Sequence, residues 1–288
     1  SFRVVHSDSD GIPSTVIDKY DDVFVIQTTS EAADQILDDI KDSVVQLFAP
    51  KSVVERNDIA IREKEGLPLK KCFLFGSESV ADVVEGDQRF SVDAMSGQKT
   101  GAYLDYRGFR MKGRELAYGD CLDAFCYHGW FSCQIADAAE SVISVDGSAE
   151  AIRTAEENAK RNGHGNIDFI KADAFDYLAS SDRLFDFIHL DPPSFAKGSS
   201  SVAQAAAGYR KLLRLALPHL KSRGVVMLSS CSHSVTERIL EDSLASVFAE
   251  KGLEFSVIFR GIQDRDHPVM KSHPESLYLK ALAVRLCK

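Results

Sequence analysis

Cys231 stands in LSSCSHSV, residues 228–235, where the apolar run GVVMLSS gives way to small polar residues. A short, continuous, branched run reads as a buried β-strand. The thiol then has two readings, a small hydrophobe at the rim of a core or a nucleophile offered at a strand tip. Upstream, LDPPSF at 190–195 sets Asp191 before Pro192, Pro193 and, two places on, Phe195. The prolines stiffen the backbone and remove two N–H donors. A rigid Asp-Pro-Pro with a nearby aromatic suits a flat ring, stacked and hydrogen-bonded at its polar edge, and the plainer reading is a strand terminator. Two further carboxylates end apolar runs: Asp146, followed by Gly147 and Ser148, and Asp173, followed by Ala174. Asp146 lies about 20 residues beyond the turn within LDAFCYHGWF, the spacing at which a carboxylate accepts two ribose hydroxyls, and it equally suits a helix N-cap. Asp173 is placed for a further polar edge such as an adenine amine. Within LDAFCYHGWF, residues 122–131, Asp123 lies in the strand and the turn through Phe125, Cys126, Tyr127 and Gly129 could bring backbone N–H groups to a ligand. Its single glycine falls short of a G-x-G-x-x-G dinucleotide fingerprint and is as readily structural.

These residues gain meaning from the elements that carry them. From about residue 112 the chain alternates strand-like and helix-like segments: 121–126, 141–146, 166–173, 185–191, 224–230 and 253–260 as strands, with helices near 130–138, 148–162, 202–220 and 235–251. That alternation predicts βαβ units and a parallel sheet covered on both faces, with ligands at the carboxyl ends of the strands. The first 95 residues read differently. Residues 14–29 predict a β-hairpin around Lys19–Asp22, and 30–48 an amphipathic helix with Ser30 as N-cap and a stripe of Ala33, Ile36, Leu37, Ile40, Val44 and Leu47. Short β-like segments follow at 52–61, 72–76, 81–84 and 88–93. The expectation is a small α+β domain over 1–95, a linker over 96–111 and an α/β domain over 112–288.

Composition excludes several classes. The 288 residues contain no run near the ~20 apolar residues of a membrane helix, and the opening SFRVVHSDSD lacks the features of a signal peptide. The six cysteines contain no CxxC and match no zinc spacing, which predicts reduced thiols, no metal and a cytoplasmic setting. A net charge of −9 argues against a surface coated for phosphate, although Arg107, Arg110, Lys112 and Arg114 form a local basic run. That run reads either as a solvated connection or as a contact for nucleic acid.

Taken together, LDAFCYHG, Asp146, KADAF, LDPPSF and SSCSHSV resemble the class I S-adenosylmethionine-dependent methyltransferases. More narrowly they resemble the family that makes 5-methylcytosine in large-subunit (23S) ribosomal RNA. GQKTGAYLDYR at 97–107 and DHPVMKSHPESLYLK at 266–280 are similar to that family's GQKTG…LDxR and DHP…PExxYLK stretches, and residues 6–27 resemble its central α+β domain. Members usually begin with an RNA-binding PUA domain, and the chain is expected to start just after one would end. The resemblance implies a Rossmann-like doubly wound sheet preceded by the small, RNA-contacting α+β domain, with S-adenosylmethionine as cofactor, RNA as partner, and a homodimer as one assembly state. It implies that Gln98, Lys99 and Thr100, with Asp123 and the turn Phe125–Gly129, hold the cofactor's methionine end. Asp146, Gly147 and Ser148 would meet the ribose, Asp173 and Ala174 the adenine, and Asp191 the reactive centre. Pro192, Pro193, Phe195, Lys197, Arg107 and His267 would meet the substrate, with Cys231 as nucleophile.

The chemistry gives such a cysteine a purpose. C5 of cytosine takes a methyl group only after a thiolate adds at C6, which makes C5 enamine-like, with an acid near N3 to stabilise the adduct. His233, two residues beyond the thiol, reads as a surface histidine. Two departures from the family pattern stand out: Trp130 follows the turn glycine, and Ser194 stands where many RNA cytosine-C5 enzymes carry a second cysteine. Competing expectations are a 5-methyluridine or amino-group methyltransferase on the same fold and a non-catalytic RNA- or cofactor-binding protein. An unrelated hydrolase or oxidoreductase lacks a G-x-S-x-G elbow and a dinucleotide fingerprint.

Overall fold

The computed structural model of the protein describes residues 1–195 and 202–287. The chain forms two compact units, one of Ser1–Arg107 with Asp264–Ser272 and one of Gly108–Gln263 with the chain from His273 onward. The boundary therefore falls inside the expected linker, and the first unit recovers a segment from far along the chain. Charge does this: Arg107 donates to Asp264 and Asp266 at 2.7 Å each, and the Arg3 N–H donates to Asp266 Oδ2 at 3.0 Å.

In the first unit, β1 (Phe2–His6), β2 (Thr15–Tyr20) and β3 (Val23–Thr28) pair antiparallel. Helices α1 (Glu31–Gln35) and α2 (Leu37–Phe48) follow, then β4 (Ser52–Asn57), α3 (Ala60–Lys64) and β5 (Lys70–Phe75), completing a sheet in the order β1-β2-β3-β4-β5. Strands β6 (Val80–Glu85) and β7 (Gln88–Asp93) form a separate hairpin. Ser30 caps α1 as expected, accepting from the Ala33 N–H at 3.3 Å. The single helix expected over 30–48 is two, broken at Ile36 (φ −105°, ψ 10°). The break turns the apolar stripe: Leu37, Ile40, Val44 and Val45 pack on Val5, Ile17, Phe24, Ile26 and Val53, whereas Ile36 and Leu47 are left exposed.

The second unit begins one residue into α4 (Arg107–Leu116), a helix where a connecting segment was expected. Then come β8 (Asp120–Ala124), α5 (Trp130–Ala136), β9 (Ser141–Asp146), α6 (Ala149–Arg161), β10 (Ile167–Lys171), α7 (Ala174–Ser180) and β11 (Phe185–Leu190). The unit closes with α8 (Val202–Ala216), β12 (Leu220–Ser230), α9 (Glu237–Glu250), β13 (Phe255–Ile262) and β14 (Lys280–Leu286). The seven strands run β10-β9-β8-β11-β12-β14-β13. The first five are mutually parallel, and β14 pairs antiparallel with both β12 and β13. This is the α/β, Rossmann-like sheet expected from the alternation, with an extra strand, β14, that the sequence reading did not separate. Leu122, Ile143, Ile188, Val226 and Leu282 are each 2% exposed or less, so the sheet is buried as a parallel sheet requires. Strand order reverses between β8 and β11, and the carboxyl ends of β8, β9, β10, β11 and β12 share one edge. That switch point is where open α/β sheets bind ligands.

Candidate active site

The turn after β8 is built by backbone geometry. The N–H groups of Phe125 and Cys126 both donate to Val145 O, at 2.8 and 3.0 Å, while Phe125 (φ 69°) and Tyr127 (φ 48°) take left-handed conformations. Gly129 (φ 72°) lets α5 close on α6: a Cβ there would come within 2.8 Å of Ala155 Cβ. We expect Gly129→Val to destabilise the fold by about 3 kcal/mol, the sum of left-handed strain and overpacking. Chemical denaturation measures it, and wild-type stability in the variant would contradict this account of the turn.

Asp146 joins that turn to the next. Its Oδ2 accepts from the Tyr127 N–H at 3.0 Å and its Oδ1 from the Ser148 N–H at 2.8 Å. The helix-capping role belongs to Ser148, whose hydroxyl accepts from the Ala151 N–H, so Asp146 is not the N-cap. A carboxylate offers about four acceptor sites, and two of them remain for hydroxyls. Asp173 does cap α7, its Oδ1 accepting from Phe175 and Asp176, while its Oδ2 has no partner among the described residues. Along the same edge Phe125, Phe175, Phe195 and Tyr209 form a chain of edge-on rings, with centroids 6.2, 6.1 and 5.0 Å apart. This sheet edge thus combines an apolar wall with two carboxylates carrying spare acceptors, which suits a nucleoside. His128, beside the turn, is held neutral, its imidazole lowered by burial to about 4.

The reactive residues lie at the next two strand ends. Leu190 pairs with Leu228 across the β11–β12 ladder, which sets Asp191 beside Ser229. The Ser229 hydroxyl donates to Asp191 Oδ1 and fixes the half-buried carboxyl. Pro192 is buried and Pro193 exposed. Cys231 follows β12, two residues beyond Ser229 or about 7 Å of strand rise, and it is exposed. That decides against the core reading of the thiol. His233 is also exposed, with Nδ1 2.8 Å from Glu275 O.

Several expected residues are committed elsewhere. Asp123, expected at the cofactor, is fully buried in an internal network, accepting from the Ser132 hydroxyl at 2.5 Å and facing His189 Nδ1 at 2.7 Å. Asp123 stands one residue inside the strand, and its side chain turns into the core. Thr100 is buried within the first unit, donating to Asp18 Oδ2 at 2.6 Å beside the Tyr20 hydroxyl. Gln98 and Lys99 are exposed there; Gln98 accepts from Tyr103 and Lys99 pairs with Asp105 at 2.5 Å. Arg107 is tied to Asp264 and Asp266. His267 is 2% exposed, against Asp266 at 2.7 Å. Thr100, Arg107 and His267 therefore each have partners within the first unit. Lys197 lies outside the described residues. Three residues the sequence reading passed over matter locally: Ser229, Asn158, whose amide donates to His128 O at 2.9 Å, and Lys280. Among the described residues no three His, Cys, Asp or Glu side chains gather to hold a metal, and no helix is long and apolar enough to cross a membrane.

The chain is 34% identical over 295 residues to "Ribosomal RNA large subunit methyltransferase I" of Aeromonas hydrophila, covering 99% of this chain and 74% of that protein. It is also 34% identical to the protein of the same name from Tolumonas auensis, with the same coverage. Among solved structures, a chain from Streptococcus mutans described as a candidate SAM-dependent methyltransferase superposes with a TM-score of 0.83 at 22% identity, over 99% of this chain and 74% of that one. Residues 15–250 match the family described as S-adenosylmethionine-dependent methyltransferase. The overall fold and these matches agree, and the chain belongs to the S-adenosylmethionine-dependent methyltransferase family.

Proposed function

We propose that this enzyme methylates C5 of a cytosine in RNA, specifically in large-subunit ribosomal RNA, through a covalent adduct on Cys231. The observation that carries the reading is an exposed thiol just beyond β12, at the same sheet edge as an Asp191 carboxyl held in place by Ser229. The names borne by relatives at 34% identity support ribosomal RNA as the substrate.

The residues present fit the cofactor. Asp146 keeps acceptor sites for ribose hydroxyls, Asp173 Oδ2 is open to an adenine amine, and the rings of Phe125 and Phe175 offer an apolar wall. Gly147 and Ser148 are exposed beside Asp146, and Ala174 is buried beneath Asp173. The turn through Tyr127 and Gly129 would meet the methionine end. S-adenosylmethionine supplies, when bound, a methyl group on a sulfonium. The protein's task is to make C5 able to accept it. The Cys231 thiolate forms an S–C6 bond, and the electron pair displaced from the C5–C6 bond makes C5 nucleophilic. Asp191, when protonated, hydrogen-bonds the polar edge at N3 and relieves the charge that develops there. After methylation a base removes the C5 proton, the S–C6 bond breaks and the thiolate is restored. Ser194, exposed where other enzymes carry a second thiol, leaves that base to another group. The target base must be splayed out of any stack to reach the thiol.

The test is methyl transfer from isotopically labelled cofactor to purified large-subunit rRNA, followed by digestion and nucleoside mass spectrometry. Label is expected in 5-methylcytidine. Label in 5-methyluridine or in an N-methylated nucleoside would overturn the reading.

A further inference from the structure

Lys280 opens β14 directly across the ladder from Ser230 and is 3% exposed. A buried ammonium is costly unless its donors are satisfied and its charge is balanced. Two of its three N–H donors go to backbone carbonyls, Ser232 O at 2.6 Å and Val235 O at 2.5 Å. Both belong to the turn that immediately follows Cys231. No carboxylate pairs with Lys280 among the described residues.

The surrounding titratable groups are accounted for. Asp191, from the end of β11, is bound by Ser229; His233 faces Glu275 O; the Tyr209 phenol, from α8, is buried and pushed far above its ordinary range. Glu275 is exposed. Burial lowers the Lys280 ammonium to about 8, and a negative charge on Cys231, whose following turn Lys280 binds, would work in the opposite direction. Such coupling is reciprocal, because an opposite charge nearby favours the charged form of each partner.

We propose that Lys280 is a positioning residue for the nucleophile: it fixes the 232–235 turn through two carbonyls and places a positive charge beside Cys231 that favours the thiolate. The thiol proton leaves to solvent and the ammonium balances the charge left on sulfur. This rests on Cys231 being the nucleophile. The support fades as pH rises past about 8, where Lys280 loses its own charge.

The test is the pH dependence of iodoacetamide alkylation at the Cys231 peptide, followed by mass spectrometry on the intact chain, with exposed Cys72 and Cys287 as internal references. Lys280→Met is expected to raise the pH midpoint at Cys231 by about one unit, a roughly tenfold slower reaction at neutral pH, and to leave the reference cysteines unmoved. Lys280→Arg is expected to hold the midpoint near that of the wild type. If the methionine variant does not fold, Lys280→Gln, which keeps an amide donor for the carbonyls, is read in its place. An unshifted Cys231 midpoint in a folded, uncharged variant overturns the proposal. Alkylation needs neither RNA nor cofactor, so the two readings fail separately. Full methyl transfer by Cys231→Ala would sink the nucleophile and leave the Lys280 shift intact.

Discussion

Cys231→Ala is expected to reduce methyl transfer to RNA by at least about a thousandfold, the scale on which removing a catalytic nucleophile acts, with cofactor affinity unchanged. The side chain is exposed and caps no helix, so the loss cannot be attributed to packing. The elements that would meet the cofactor, the 125–129 turn, Asp146 and Asp173, lie at other strand ends. Calorimetric titration with S-adenosylhomocysteine separates binding from chemistry. RNA carrying 5-fluorocytidine gives an independent reading, because fluorine at C5 leaves no proton to remove and the S–C6 bond persists. The wild type is expected to form a protein–RNA species stable to denaturing electrophoresis, and the alanine variant none. An amino-group methyltransferase would lose little activity in Cys231→Ala, and that result would exclude the adduct.

Asp191→Ala is expected to lower kcat/KM by about 10^2- to 10^4-fold, the range for removing a positioned acid. At 1.36 kcal/mol per decade this is about 2.7–5.4 kcal/mol of transition-state stabilisation. Asp191 sits half-buried between Ala124, whose carbonyl accepts its N–H at 3.4 Å, and Ser229, whose hydroxyl holds Oδ1. A group held by both backbone and side chain is pre-organised, so the cost should fall mainly on kcat. Steady-state kinetics on an rRNA fragment checks this, and a loss smaller than tenfold would remove Asp191 from the reaction.

What the sequence disclosed and what it hid follow one physical division. Strands β9, β10, β11 and β12 are rich in branched and aromatic residues and stop at polar turns, so their ends, where Asp146, Asp173, Asp191 and Cys231 stand, were legible. Strand β14, KALAVRL, begins with a lysine that composition alone does not bury, and its antiparallel place between β12 and β13 depends on long-range pairing. Side-chain direction was the other hidden quantity. Asp123 and Asp146 look alike as acidic residues near strand ends, yet the first lies within β8 and turns inward to Ser132 and His189. The second closes β9 and receives two backbone N–H groups. Thr100 and Arg107 are polar residues in distinctive stretches whose partners Asp18, Asp264 and Asp266 are set by tertiary pairing that no local pattern encodes, whereas His267 meets its own sequence neighbour Asp266. The break at Ile36 belongs to the same class, since the 30–48 pattern is continuous and only the fit to the sheet interrupts it.

The central claim, C5 methylation of a cytosine in large-subunit rRNA, is tested most directly by quantitative nucleoside mass spectrometry of rRNA from cells lacking this gene. The account predicts the loss of one 5-methylcytidine, restored by the wild-type gene and not by the Cys231→Ala variant. An unchanged nucleoside profile would contradict it.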